Sequence, residues 1–143
     1  MKIRYSIVAE LEISLNGENK LSISYFKDKN NIGNCEPKRE YVPNKMEIDI
    51  VDVNTIRVGF NYECASNDEI SIELLKLRVK NRLCQNLIAT HKNGLIGRLA
   101  DKIKEMAIND GYDIFMANSL KLKFKELANA EKLSELLKDI DSM

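Results

Sequence analysis

The side chains best equipped for chemistry are few. Cys35, Cys64 and Cys84 stand 29 and 20 residues apart, and His91 is the single histidine of the 143-residue chain. An odd number of cysteines at these spacings matches neither a disulfide framework nor a zinc knuckle, so they read as reduced thiols. With one imidazole, a His–Cys metal site would have to be assembled from scattered residues, and no metal or other cofactor is expected. An imidazole has the chemistry of a general base, and Cys84 lies seven residues before His91 on the same face of a helix. No carboxylate is close in sequence to orient the ring, so the two are not read as nucleophile and base. Gly94-Leu95-Ile96-Gly97 lacks the Lys and Ser or Thr of a phosphate loop, and it joins two helices instead of leaving a strand. Nothing in these residue types points to an enzyme.

Charge is the next candidate. Lys plus Arg and Asp plus Glu both total 22, so there is no global field to attract nucleic acid or an acidic membrane. Along the chain the balance is uneven: nine bases and 13 acids in residues 1–73, eight bases and one acid in 74–104, five bases and eight acids in 105–143. A middle segment of net +7 could bind phosphate, but the ordinary reading of such a run is a solvated face or one paired with acids elsewhere, here Glu10, Glu12, Glu47 and Asp49. No apolar stretch approaches the ~18 residues of a membrane span, and residues 1–15 alternate like a strand instead of forming a signal. A soluble, cytoplasmic protein is expected, with residues 1–143 as one domain; 44% hydrophobic residues suffice for a single modest core.

The elements that would position these residues follow from hydrophobic period. Ile3, Tyr5, Ile7, Ala9, Leu11, Ile13 and Leu15 recur at period two, which is a half-buried strand, and Asn16-Gly17 then offers positive backbone angles before Leu21, Ile23 and Tyr25 resume the alternation. A hairpin is predicted. Residues 28–44 collect Asn30, Asn31, Gly33, Asn34, Pro37 and Pro43 in a loop long enough to suggest function. Met46, Ile48 and Ile50 mark a third strand, and Ile56, Val58, Phe60 and Tyr62 a fourth. Over 69–80, Ile70, Ile72 and Leu74 alternate and Leu75, Leu77 and Val79 continue one residue out of step, as a strand with a bulge would. A helix there would scatter its leucines and bases around the circumference, so a fifth strand is predicted. From Asn81 the period lengthens to 3.6 through Leu83, Cys84, Leu87, Ile88 and His91. A second helix carries Leu95, Ile96, Leu99, Ile103 and Met106, and a third runs over 129–139. The fold class is α+β: an antiparallel sheet of about five strands followed by two or three helices.

Two resemblances bear on function. The stretch from Ile96 to Met106, followed by Gly111 and Ile114, resembles the core of a KH domain, with Ala100 in the place of the second glycine of its Gly-x-x-Gly loop. That likeness implies single-stranded nucleic-acid binding through Arg98, Lys102 and Lys104. The other covers more of the chain. Antiparallel strands, a long crossover loop and then helices, with Leu83, Leu87, Ala89, Asn93, Leu95, Ile96, Ile103 and Met106 at matching intervals, are similar to the SecB family of export chaperones. Leu122, Lys123, Phe124 and Leu127 resemble that family's closing element, and Val42-Pro43 before Met46 to Asp49 its entry to a middle strand.

The SecB-like resemblance implies a holdase without enzymatic activity, whose crossover loop and first helix border an apolar groove for unfolded polypeptide or a dedicated protein partner. The residues it singles out are Ile32, Tyr41 and Val42 on the loop and Leu95, Ile96 and Leu99 on the helix start. A homo-oligomer, dimer or tetramer, is expected too. The long first strand leaves edge hydrogen bonds with Val8 on an outward side beside Ser6 and Glu10, and the alternating bases Lys76, Arg78 and Lys80 could meet the acids of another subunit's strands.

Overall fold

The computed structural model describes residues 1–143. A five-stranded antiparallel sheet is followed by four helices, an α+β fold. The strands are β1 (Ile3–Ser14), β2 (Lys20–Lys27), β3 (Asn30–Asn31), β4 (Met46–Asp52) and β5 (Thr55–Ser66), in the spatial order β3-β2-β1-β5-β4. The helices are α1 (Ile72–Lys92), α2 (Ile96–Asn109), α3 (Ile114–Lys125) and α4 (Ala130–Ser142), with a single 3-10 turn, Glu126–Ala128, before α4.

Alternation puts Tyr5, Ile7, Ala9, Leu11 and Ile13 of β1 and Ile56, Val58, Phe60 and Tyr62 of β5 on one face, all buried beneath the helices. The helices answer with Leu75, Val79, Leu83 and Leu87 of α1, Ile96, Ala100, Ile103 and Ala107 of α2, Leu120 and Phe124 of α3, and Leu133, Leu136 and Ile140 of α4. Helix starts are capped by side chains that accept otherwise orphaned amides: Ser71 Oγ from Leu74 N–H, Asp113 Oδ1 from Met116 N–H, and Asn129 Oδ1 from Glu131 and Lys132 N–H. Gly94 (φ 71°) and Gly111 (φ 94°) follow the ends of α1 and α2 in the left-handed conformation that glycine adopts without steric cost.

Three expectations are corrected. The β1–β2 hairpin forms, but its connection runs over residues 15–19 with no positive φ; those angles occur at Asp28 (48°) and Lys29 (68°), in the two-residue turn that pairs Lys27 with Asn30. The fifth strand is therefore the short β3, inside the long loop. Residues 69–80 are not a strand: α1 begins at Ile72 and carries apolar side chains on both sides, Leu75 and Val79 inward, Leu74 and Leu77 outward, which mimics an out-of-step alternation. Residues 120–125 belong to α3, so four helices follow the sheet where two or three were expected.

The face of the sheet away from the helices is also covered. Val8 (6% exposed) and Glu10 (3%) are buried beneath the crossover segment, residues 32–45, which passes over β1 and β5 before entering β4. The alternating bases Lys76, Arg78 and Lys80 lie on α1 and not on a strand. Glu10 is enclosed, Lys80 donates from Nζ to the Asp141 carbonyl (2.8 Å), and Glu47 and Asp49 are paired within the chain.

Candidate functional site

The crossover segment is held down by Tyr41. Its ring lies over Gly59 of β5, and its hydroxyl donates to Glu10 Oε2 (2.7 Å), while Lys38 N–H donates to both Glu10 oxygens (3.0 and 3.1 Å). Burial first, and then the Glu10 bond, push the Tyr41 hydroxyl far above the ordinary phenol range, so it stays a donor throughout the physiological range. Beside it, Arg57 forms two parallel bonds to Asp49 (Nε to Oδ1 2.9 Å, Nη2 to Oδ2 2.7 Å), and Arg39 reaches Glu47 (3.1 Å) and Asp49 (3.4 Å) with its guanidinium 4.9 Å from the Tyr41 ring centroid. The Asp49 bond raises the Arg57 pKa still further. Val42 N–H donates to Glu47 Oε2 (2.7 Å), which ties the end of the crossover to the start of β4.

Two concavities flank this strap. One, about 770 Å³, lies between the crossover and the start of β1. Three bases (Arg4, Lys29, Arg39) and three acids (Glu36, Glu40, Glu63) line it, so its field favours neither sign. Its polar floor is self-satisfied, Ser6 Oγ donating to Asn61 Oδ1 (2.7 Å) and Asn61 Nδ2 to Glu63 Oε2 (3.0 Å), which leaves little to recognise a small molecule.

The other is a cleft of about 250 Å³ between β4 and α2, walled by Met46, Ile48, Leu99, Ile103 and Met106 with Lys45 and Lys102 at its rim. β4 is the edge of the sheet and pairs only with β5, so alternate backbone N–H and C=O groups from Met46 toward Ile50 point away from the sheet. On the helix side, Met46, Ile48 and Ile50 are each only half-buried, because α2 covers the strand incompletely. Near the strand's end the register shifts between Ile50 and Asp52, so the regular edge spans residues 46–50. The arrangement is an unpaired strand edge beside an apolar slot.

The residues expected from sequence are divided by the fold. Tyr41 (7% exposed) and Ile96 (2%) are core residues with little surface to offer a partner. Ile32 follows β3 at the far edge of the sheet, whereas α2 packs by β4, so the two halves of the expected groove do not meet. Val42 is exposed beside the start of β4, Leu99 lines the cleft, and Leu95 is exposed at the start of α2. No protein-family model matches this chain, and no curated protein or solved structure does either.

The KH-like geometry is not formed. Gly97 and Ala100 lie inside α2, and the connection between α1 and α2 is Asn93 to Leu95. Lys102 borders the β4 cleft, Lys104 lies near the Asp101–Lys121 pair on the α3 side, and Arg98 points outward between them. The three bases do not make one surface. Sequence reasoning passed over Met46, Ile48 and Met106 as contact residues. Their alternation and helical spacing were visible, but not that β4 ends the sheet.

Proposed function

We propose that this protein is a non-enzymatic polypeptide-binding protein, a SecB-like holdase or a fold relative serving a dedicated partner. An extended apolar segment lies along the β4 edge, hydrogen-bonded through its backbone, with alternate side chains entering the β4–α2 cleft. The observation that carries this reading is the unpaired edge at residues 46–50 with partly buried Met46 and Ile48 facing Leu99 and Met106. Main-chain bonds of this kind are indifferent to sequence, and hydrophobic burial is non-directional, so the combination suits varied clients without ATP or covalent chemistry. The cleft is smaller than the ~300–1,000 Å³ usual for small-molecule sites, which favours side chains of a peptide over a cofactor. Methionine adds adaptability, since its unbranched side chain repacks around different guests.

The test is a fluorescence titration with a labelled, unstructured apolar peptide, in parallel with suppression of aggregation of a denatured client. Binding is expected to change little between low and high salt, to fall at least tenfold in Leu99→Glu, and to be lost when alternate peptide nitrogens of the ligand are methylated. Absence of both peptide binding and aggregation suppression refutes the proposal. So does binding of an oligonucleotide in place of peptide, with the steep salt dependence of phosphate contacts and sensitivity to Arg98→Glu.

A further inference from the structure

The β4–α2 cleft is apolar along its walls but charged at its mouth. Lys45, immediately before β4, and Lys102, on the wall that α2 supplies, are both exposed, and neither forms an ion pair within the chain. The acid among the lining residues is Glu47, and both of its oxygens are already engaged, Oε1 by Arg39 Nη2 (3.1 Å) and Oε2 by Val42 N–H (2.7 Å). On the outer surface of α2, Arg98 lies a turn before Lys102 and Glu105 a turn after it, so their fields at Lys102 oppose one another. Asp52, at the other end of β4, lies beyond the register shift and off the regular edge. The mouth therefore holds two positive charges without partners, beside a slot that takes apolar side chains.

Strand geometry sets what such a mouth selects. From Met46 to Ile50 the edge runs about 13 Å at about 3.3 Å per residue, room for roughly five residues of an added strand, alternate ones facing the cleft. Those side chains meet Met46, Ile48, Leu99 and Met106 and gain by being apolar. The side chains between them lie on the face of Glu47 and Asp49, whose charges Arg39 and Arg57 balance, so that face selects no sign. Carboxylates adjoining the apolar residues meet the two free ammonium groups, whose four-carbon stems let them follow a partner without a fixed geometry, and basic residues in the same places are repelled. A nucleic acid offers phosphates to the lysines but no strand to the edge and no apolar side chains to the slot, so the charge here fits an acidic polypeptide.

We infer that the cleft selects an acidic–apolar segment of a dedicated protein partner, with apolar residues at alternate positions and Asp or Glu adjoining them, over the neutral and basic apolar stretches of unfolded chains at large. The inference rests on the reading of the β4 edge as a peptide site and chooses between the two roles given there. Three unstructured, labelled peptides test it, with one alternating apolar core and Glu-Glu, Ser-Ser or Lys-Lys at both ends. At low salt the Glu-flanked peptide is expected to bind roughly three- to tenfold tighter than the Ser-flanked one, the gain that two exposed ion pairs supply, and the Lys-flanked peptide to bind weakest. At about 0.5 M salt the three affinities are expected to converge on that of the Ser-flanked peptide, which itself changes little. In the Lys45→Glu/Lys102→Glu double variant, whose substituted side chains are exposed, the order is expected to reverse. Equal affinities at low salt, or an order that survives the charge reversal, overturn the inference while the peptide site stands. A Glu-flanked peptide that binds as tightly with its apolar residues replaced by Ser overturns it too, since charge alone then suffices. If none of the three binds, the peptide site itself fails and the inference with it.

Discussion

Gly59→Ala is a sensitive probe of the strap that covers the second face of the sheet. Gly59 sits in the middle of β5, where replacing glycine by alanine ordinarily stabilises by roughly 0.5–1 kcal/mol through lost unfolded-chain freedom. Here a Cβ would lie 2.6 Å from Tyr41 Oη and closer still to ring carbons Cε1 and Cζ. The ring cannot remain seated. Overpacking of this kind costs about 1–3 kcal/mol. Moving the hydroxyl off Glu10 forfeits a bond to a charged group worth about 1.5–3 kcal/mol. Net of the backbone gain, a loss of about 2–5 kcal/mol is expected, the reverse of the usual sign. Urea denaturation reads it directly: for m near ~1–3 kcal/mol/M, a loss of about 3 kcal/mol lowers the midpoint by about 1–3 M. The same substitution in a Tyr41→Ala background meets no ring and is expected to be neutral or mildly stabilising, so the cycle isolates the contact. An unchanged midpoint in Gly59→Ala, or an equal loss in both backgrounds, refutes the account of the strap.

The phase of α1 makes a paired prediction: Leu75→Ala, fully buried, costs about 2–5 kcal/mol. Leu77→Ala, half exposed, costs under ~1 kcal/mol, whereas a strand at 69–80 would set both side chains on one face and penalise them alike. The Lys121 hydrogen bond (2.7 Å) holds the exposed Asp101 carboxyl below its ordinary 3.8. Because the folded value is depressed, this contribution to stability is present above the unfolded pKa and is lost as pH falls through the lowered one. An NMR titration of Lys121→Ala is expected to show the Asp101 midpoint returning upward, and an unmoved midpoint contradicts the pairing. Asn129→Ala removes the cap that holds two amides of α4 and is expected to cost ~0.5–2 kcal/mol, read by thermal unfolding.

What was legible in the chain was local and periodic. Tyr5, Ile7, Ala9, Leu11 and Ile13 announce a strand because a pleat has period two and only one side of β1 meets the helices. Ile96, Leu99, Ile103 and Met106 announce α2 for the corresponding helical reason, since its polar and apolar sides are cleanly separated. The same logic fails at the start of α1. Leu74 and Leu77 on the outer side and Leu75 and Val79 on the inner erase the 3.6 period, because apolar residues on both sides of a helix leave no single apolar stripe. Nor could the chain alone place its candidate site. That β4 ends the sheet depends on β1 choosing β5 as its second neighbour, a pairing of residues about 50 apart in sequence, and hydrophobic alternation is the same in an edge strand as in a central one. Tyr41 looked like loop surface for a similar reason: it becomes core only because Gly59 leaves room for its ring and Glu10 accepts its hydrogen bond, two partners that are adjacent on the sheet yet far apart along the chain. Burial and hydrogen bonding between distant residues are properties of the packed sheet, and they, not composition or period, decided which apolar side chains remain free to bind.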